Sequence, residues 1–80
     1  MSRVHIVVHL KEGVRDPAGE AVQHVLRDMG FLVEHLRIGR HITLDVDSAA
    51  GDDAARLGRE MAERLLANPV MEQFSVEVRS

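Results

Sequence analysis

Residues 36–46, LRIGRHITLDV, decide the fold of this 80-residue chain. Read as one extended strand, the segment places all of its large apolar side chains on a single face, with only Arg40 out of pattern: Leu36, Ile38, Ile42, Leu44 and Val46. A two-residue hairpin turn at Gly39 and Arg40 would split these side chains between both faces, which a half-buried sheet does not tolerate. The pattern therefore predicts one long strand, kinked at Gly39.

A strand and a helix precede this segment. Apolar residues alternate over residues 4–10, which predicts a strand with one strongly apolar face. Asp16 followed by Pro17 is typical of a helix N-cap with proline at the first helical position, and Gly30 is typical of a C-terminal stop. Between them the apolar residues recur at helical spacing: Ala18, Ala21, Val22, Val25, Leu26 and Met29.

A second helix and a last strand follow the long segment. One helical stripe is predicted to face the core: Ala54, Leu57, Gly58, Met61 and Leu65. Asn68 is expected to end this helix in the left-handed conformation, and Pro69 prevents its continuation. Phe74, Val76 and Val78 then alternate with polar residues as a strand. The predicted order is strand, helix, long strand, helix, strand, in a single domain over residues 1–80.

The predicted fold class is α+β, a two-layer α/β sandwich. At ~3.3 Å per residue the long strand reaches about 40 Å and the outer strands about 25 Å, so the long strand overhangs its neighbours. An exposed apolar strand edge aggregates unless another strand pairs with it. A chain this short also buries only ~60% of its unfolded surface. We therefore expect a second copy to pair with the overhang and to complete ferredoxin-like units across a two-fold axis.

The composition excludes several classes of function. The formal net charge is −3, and no basic block indicates a nucleic-acid partner. No apolar run is long enough to span a bilayer, and the first residues lack the features of a secretory signal. The absence of cysteine excludes disulfides, thiolate metal sites and a cysteine nucleophile, and it makes the cytoplasm the expected location.

Histidines and carboxylates are the residues that invite a catalytic or metal-binding interpretation. His5 and His9 share a strand face, but their backbones lie ~13 Å apart, too far for one zinc ion with bonds of ~2.0–2.1 Å. His24 and His35 lie on other elements without ligand spacing. An acidic group near the second helix is typical of helix capping rather than of acid–base catalysis: Asp45, Asp47, Asp52 and Asp53. We predict no catalytic residue, no metal site and no cofactor in this chain.

Three stretches together resemble the signature of one family. They are residues 11–31, KEGVRDPAGEAVQHVLRDMGF, residues 33–47, VEHLRIGRHITLDVD, and residues 65–78, LLANPVMEQFSVEV. In order and spacing they are similar to the motifs of the PurS family, the small subunits of phosphoribosylformylglycinamidine (FGAM) synthase. Two positions depart from the family pattern: Arg15 replaces an aliphatic residue before Asp-Pro, and Arg40 replaces a lysine.

The resemblance implies a non-catalytic subunit of a ligase complex in purine biosynthesis. In that complex a large synthetase subunit, PurL, uses ATP and Mg to convert formylglycinamide ribonucleotide to the amidine. A glutaminase subunit, PurQ, releases the ammonia from glutamine. The small subunit is expected to bridge PurL and PurQ and to aid ammonia transfer, as a homodimer or a dimer of dimers.

The resemblance also implies contact positions at the conformationally special residues of the matching motifs: Asp16, Pro17, Gly19, Arg37, Gly39, Arg40, Asn68 and Pro69. Each has a local alternative, namely a helix cap, a helix start, close packing, a strand kink, a helix stop or a surface charge. Capping explains the prolines and Asn68 without any partner. Arg37 and Arg40 are stronger contact candidates because arginine is enriched at interfaces.

Two other functions stay open on the sequence. One is a small-molecule-binding regulatory domain of the ferredoxin-like kind, with an amino acid bound between subunits. The other is a stand-alone enzyme that uses the histidines. The first is normally fused to an effector domain, and the second requires polar groups clustered in one pocket.

Overall fold

The computed structural model describes residues 1–47 and 51–79. Within these ranges the elements are β1 (Ser2–Leu10), α1 (Pro17–Asp28), β2 (Arg40–Val46), α2 (Gly51–Met61) and β3 (Glu72–Arg79), and α2 continues as a π-helical turn over Ala62–Leu66. The predicted order of strands and helices is confirmed. No helix in the two ranges is long and apolar enough to cross a membrane.

The three strands form an antiparallel sheet in the order β2-β1-β3, with β1 in the centre. Apolar residues face each other in both ladders, since Ile6 pairs with Ile42 on one side and with Val76 on the other. Partners in register point to the same side of a sheet. Val4, Ile6 and Val8 are fully buried on that side, which confirms the alternation predicted for β1.

Helix α2 covers this apolar face and closes the core. Ala54 and Ala62 are fully buried. Between them, a Cβ atom at Gly58 would come within 2.8 Å of Val4 Cγ1 and 3.1 Å of Val76 Cγ1. The helix therefore approaches the sheet so closely at Gly58 that only glycine fits without displacing a valine.

The end of α2 departs from the predicted helical stripe. In the π-helical turn the Ala67 N–H donates to Ala62 O at 2.9 Å, and this i→i+5 spacing adds one residue to the turn. Leu66 rather than Leu65 consequently packs against the core, and Leu65 is 84% exposed. The prediction that Leu65 belongs to the buried stripe is therefore wrong.

Strand β2 is shorter than the sequence pattern predicts. It begins at Arg40 and has seven residues, so residues 36–39 lie outside the regular strand. Their backbone amides bond to side chains: the Leu36 N–H donates to Gln23 Oε1 at 2.9 Å, and the Ile38 N–H donates to Asp16 Oδ2 at 2.8 Å. The long overhanging strand is thus a wrong prediction, because side-chain acceptors take the place of a neighbouring strand.

Gly39 forms no hairpin turn, in agreement with the predicted continuous segment. Strand β2 pairs with β1 along its whole length, up to the Val8/Arg40 pair. A Cβ atom at Gly39 would lie 2.6 Å from Val8 O and 3.3 Å from His9 Cβ. The glycine therefore lets the chain pass the end of β1 at close range before it enters the sheet.

Helix α1 begins and ends where the sequence predicts. Asp16 is the N-cap, Pro17 lies in the first turn, and Gly30 has a φ of +100° beyond the C-terminus. Among the described residues, α1 makes no extensive contact with the sheet or with α2. Together with residues 31–39 it forms a projection, which we call the arm.

The dimensions of the molecule reflect this projection. The chain measures 50 × 26 × 14 Å along its principal axes. Its radius of gyration of 15.8 Å exceeds the value of about 12 Å expected for a compact chain of this length. The body, formed by the sheet and α2, therefore contains the core, and the arm extends away from it.

The close approach at Gly58 predicts a strong effect of a side chain there. Gly58→Leu is expected to lower the free energy of unfolding by about 1–3 kcal/mol, because the added atoms overpack the contact with Val4 and Val76. Arg59→Leu, at the next and exposed position, is the control and should change it by less than about 0.5 kcal/mol. Urea denaturation measures both variants. A Gly58→Leu protein as stable as the parent would contradict the packing described.

Candidate subunit interface

The arm carries large apolar side chains on its surface. Those that are exposed are Val22, Val25, Met29, Phe31, Leu32 and Ile38. Leu32 is fully exposed, and Val25, in the middle of α1, is 55% exposed. Of the six residues that give α1 its apolar periodicity, Leu26 is half-buried and the other five are exposed. A set of large apolar side chains exposed on one projection marks an interaction surface.

An open groove of about 630 Å³ lies between the edge strand β2 and helix α2. Its apolar lining consists of Leu44, Val46, Leu57, Met61, Leu65 and Leu66. Helix α2 lies mainly over β1 and β3, which leaves the β2 side of the sheet less covered. The groove is therefore a place in the helical layer of the sandwich that the chain itself does not fill.

Asp16 fixes the arm through both oxygens of its carboxylate. Oδ1 accepts the Gly19 N–H at 2.9 Å and caps α1, while Oδ2 accepts the Ile38 N–H of the returning segment at 2.8 Å. Asp16 is only 5% exposed. A Cβ atom at Gly19 would lie 2.7 Å from both Asp16 Oδ2 and Leu36 O. We call the contacts among Asp16, Gly19 and Ile38 the Asp16 clamp.

Two further hydrogen bonds join helix α1 to residues 31–39, the other half of the arm. Gln23 Oε1 accepts the Leu36 N–H at 2.9 Å, and Arg27 Nε donates to Val33 O at 2.8 Å. Both join a side chain of α1 to the backbone of the returning segment. Hydrogen bonds of this kind therefore help to hold the helix in place within the arm.

The clamp stabilises the ionised form of Asp16. The N–H groups of Ile38 and Gly19 lower the pKa of the Asp16 carboxyl, against the opposing effect of burial, and Arg37 adds a smaller attraction. The pKa is thus lower in the folded chain than the value of about 3.9 expected for an unfolded chain. The stabilisation is present above that ordinary value and is lost as the pH falls through the folded-state pKa.

Arg40 is engaged in contacts within the chain. Its Nη2 atom donates to Glu72 Oε1 and Oε2 at 3.0 and 3.1 Å and to Leu66 O at 2.9 Å. Glu72 Oε1 also accepts the Asn68 N–H at 2.7 Å, which is the main cause of the lowered Glu72 pKa, ahead of Arg40. These bonds fix the loop after α2 to the first residue of β2.

Asn68 and Pro69 end α2 without the predicted left-handed residue. Asn68 has no positive φ, and its Oδ1 accepts the Val70 N–H at 3.0 Å. The prediction of a left-handed stop is wrong because this side chain closes the turn instead. Pro69 O accepts from Lys11 Nζ at 2.9 Å. Arg37 Nη2 donates to Lys11 O at 3.3 Å, so Lys11 links this loop to the base of the arm.

The structure gathers the predicted contact residues into two groups joined through Lys11. One group lies at the base of the arm: Asp16, Pro17, Gly19 and Arg37. The other lies where β2 begins and α2 ends: Gly39, Arg40, Asn68 and Pro69. As contacts to a partner, these residues stay predictions. The exposed apolar surfaces were missed, since periodicity shows that a helix has an apolar side but not whether its own chain covers it.

The face of the sheet opposite α2 carries a histidine pair that sequence reasoning missed. His5 Nδ1 and His41 Nε2 are 3.0 Å apart. They meet because Val7 pairs with His41, which places His41 diagonally opposite His5. A pair of this kind joins two strands, so it cannot be found from the spacing of histidines along one strand. No group of three or more side chains able to hold a metal ion occurs among residues 1–47 and 51–79.

Asp45, one of the acidic residues considered for acid–base catalysis, forms an ion pair with Arg3. Asp45 Oδ1 accepts from Arg3 Nε at 3.0 Å, and this bond lowers the pKa of the Asp45 carboxyl. A carboxylate with a lowered pKa that is held by arginine is a weak general base at neutral pH. The side chain of Asp52 lies outside the described residues.

The clamp predicts that Asp16→Asn weakens the arm. A carboxamide has a single acceptor oxygen, so it cannot accept both the Gly19 and the Ile38 N–H groups. The melting temperature should fall by roughly 4–8 °C at pH 7, the effect of one lost hydrogen bond in a chain of this size. Because the variant carries no carboxylate, the difference from the parent should shrink as the pH falls through the folded-state Asp16 pKa.

Asp28→Asn, at the other end of α1, is the matched control. Asp28 is exposed and contacts only His24 in the described part of the chain, at 3.4 Å. Its substitution should leave the melting temperature nearly unchanged. Thermal unfolding followed by circular dichroism at several pH values measures both variants. Equal losses in the two would show that the clamp has no special part in fixing the arm.

Comparison with known proteins identifies one family over almost the whole chain. The family described as PurS, phosphoribosylformylglycinamidine (FGAM) synthase, matches residues 3–80. The FGAM synthase subunit PurS of Bacillus subtilis is 43% identical over 79 residues, which are 98% of this chain and 93% of that protein. The PurS subunit of Archaeoglobus fulgidus is 39% identical over 72 residues, 89% of this chain and 90% of that protein.

Solved structures have the same fold. Methanocaldococcus jannaschii PurS, one of the subunits of formylglycinamide ribonucleotide amidotransferase, superposes with a TM-score of 0.90 at 27% identity, over 100% of this chain and 98% of that one. A chain in the structure of PurLQS from Thermotoga maritima superposes with a TM-score of 0.88 at 33% identity, over 99% of both chains. By sequence and by fold, this chain belongs to the PurS family of FGAM synthase subunits.

Proposed function

We propose that this chain is the non-catalytic subunit that joins the synthetase and glutaminase subunits of FGAM synthase in purine biosynthesis. The likeness to the Bacillus subtilis FGAM synthase subunit and to a chain of the Thermotoga maritima PurLQS structure supports this function. Family membership favours it over a regulatory domain that binds a small molecule. The observation that carries the proposal is the match to PurS over almost the whole chain. The apolar surface left uncovered on the arm and on the body supports the dimer described next.

The proposed working form is a homodimer in which the arm of each copy fills the groove of the other. The arm presents a helix whose apolar side has no sheet to cover, and the body presents a sheet with room for one more helix. A two-fold axis makes this contact twice, because each copy contributes one arm and one groove. The dimer thereby buries residues such as Val25 and Leu65, which a single copy leaves exposed.

The proposed contribution to the reaction is proximity. The sequence has no cysteine, so the thioester step of a cysteine glutaminase cannot take place on this chain. Ammonia set free in solution would be diluted before it reached the synthetase. A subunit that keeps the two active sites in register raises the effective concentration of ammonia where it reacts. ATP and Mg would then bind to the synthetase subunit and not to this chain.

The proposal predicts a difference between the two nitrogen sources. Synthetase and glutaminase subunits are mixed with and without this protein, and amidine formation is measured with glutamine or with ammonium. Turnover with glutamine should require this chain, because only this route needs the two active sites to be joined. Turnover with ammonium should proceed at the same rate in its absence. Equal glutamine rates with and without the chain would contradict the proposed function.

The dimer predicts that charges placed on either surface dissociate it. Val25→Asp on the arm and Leu65→Asp in the groove should each give monomers, because each buries a carboxylate in both copies of the contact. Light scattering coupled to size-exclusion chromatography measures the mass. A mixture of the two variants should regain dimers through one intact contact, between the arm of the Leu65→Asp chain and the groove of the Val25→Asp chain. These dimers should be weaker than the parent dimer, because the second contact carries both substitutions.

His24→Asp is the control on the arm, because it adds the same charge to the neighbouring, polar position of α1. Val70→Asp is the control on the body, because Val70 is exposed and does not line the groove. Both controls should remain dimers. A parent protein that is a monomer at micromolar concentration, or two surface variants that stay dimeric, would contradict the exchange of arms.

A further inference from the structure

We propose that the His5–His41 pair on the open face of the sheet binds a divalent transition-metal ion of the class that prefers imidazole, with Cu²⁺ bound more tightly than Ni²⁺ or Zn²⁺. His5 lies on the central strand β1 and His41 on the edge strand β2. Both lie opposite the face that α2 covers, so an ion can reach them from solvent. The inference is independent of the proposed assembly function.

The two nitrogens are close enough for both to bind a single ion once a ring has turned. His5 Nδ1 and His41 Nε2 are 3.0 Å apart, which for bonds of about 2.0–2.1 Å gives an angle of roughly 90–100° at the ion. That angle corresponds to neighbouring ligands in the tetragonal geometry of Cu²⁺ and Ni²⁺. Water completes the coordination, because the pair supplies only two protein ligands.

Without an ion the pair forms a hydrogen bond. The ring centroids are 5.2 Å apart, so the two nitrogens point towards each other and one ring donates its N–H to the other. For an ion to bind, that proton moves through solvent to the second nitrogen of the same ring, which frees the first nitrogen to coordinate the ion. His41 is exposed on an edge strand, so its ring is free to turn and aim its lone pair at the ion.

Two carboxylate–arginine pairs lie near the histidines on the open face. Glu77 on β3 pairs directly with His5 and lies on the same open face. Asp45 lies on β2 two residues beyond Thr43, the other partner of His5. Two arginines on this face, Arg3 and Arg79, bind these carboxylates at 3.0 and 3.2 Å. Neither arginine of this group is therefore left as an unpaired positive charge beside the two imidazoles.

His9 offers a matched control on the same strand and the same face. Its Nδ1 lies 3.4 Å from the Gln73 amide nitrogen, and a backbone distance of about 13 Å separates it from His5. The full-length protein and the variants His5→Gln, His41→Gln and His9→Gln are titrated with Cu²⁺, Ni²⁺ and Zn²⁺ by calorimetry. The copper complex is also studied by electron paramagnetic resonance, which reports the nitrogens bound to the ion.

The parent and His9→Gln should bind one Cu²⁺ with the same affinity and show a spectrum with two imidazole nitrogens. Loss of either member of the pair should weaken binding at least about tenfold, with Cu²⁺ the tightest of the three ions. Circular dichroism verifies that each variant is folded, as expected for substitutions on an exposed face. Unchanged binding in His5→Gln and His41→Gln, or an equal loss in His9→Gln, would overturn the proposal.

Discussion

The structure depends on one buried carboxylate. Asp16 accepts the backbone N–H of Gly19 at the start of α1 and that of Ile38 in the returning segment, and so fixes the two halves of the arm to each other. A helix of twelve residues is marginal in water when nothing packs against it. The clamp specifies the position of α1 with hydrogen bonds, which leaves the apolar side of the helix free for another surface.

Because hydrogen bonds position α1, its apolar side is not needed for packing within the chain, and apolar surface stays uncovered. Helix α2 covers most of the sheet, and Gly58 allows it to approach Val4 and Val76 closely. The sheet surface at β2 is left uncovered and forms the groove. In the arm of the same chain, helix α1 has no sheet to pack against. In the proposed dimer the arm of one copy covers the groove of the other, and the proposed role of the subunit in FGAM synthase is to position the two active sites.

The sequence predicted the elements well where local signals are strong. Asp16, Pro17 and Gly30 marked both ends of α1. The placement of the apolar side chains on one face of residues 36–46 correctly excluded a hairpin at Gly39. The predicted length of β2 was wrong because distant side chains determine where this strand begins. Acceptor atoms of Asp16 and Gln23 bond to the backbone of residues 36–38, so strand pairing begins only at Arg40. The π-helical turn that exposes Leu65 has no signature in the apolar pattern, and the His5–His41 contact requires the β1–β2 register.

Helix α1 is proposed to be covered only by a second copy of the chain. Hydrogen exchange of the backbone amides, measured by mass spectrometry over a range of protein concentrations, tests it directly. Exchange in residues 17–39 should slow as the concentration rises and the dimer forms, while exchange in β1 and β3 changes little. Protection of residues 17–39 that is strong and independent of concentration in a monomeric protein would contradict the account.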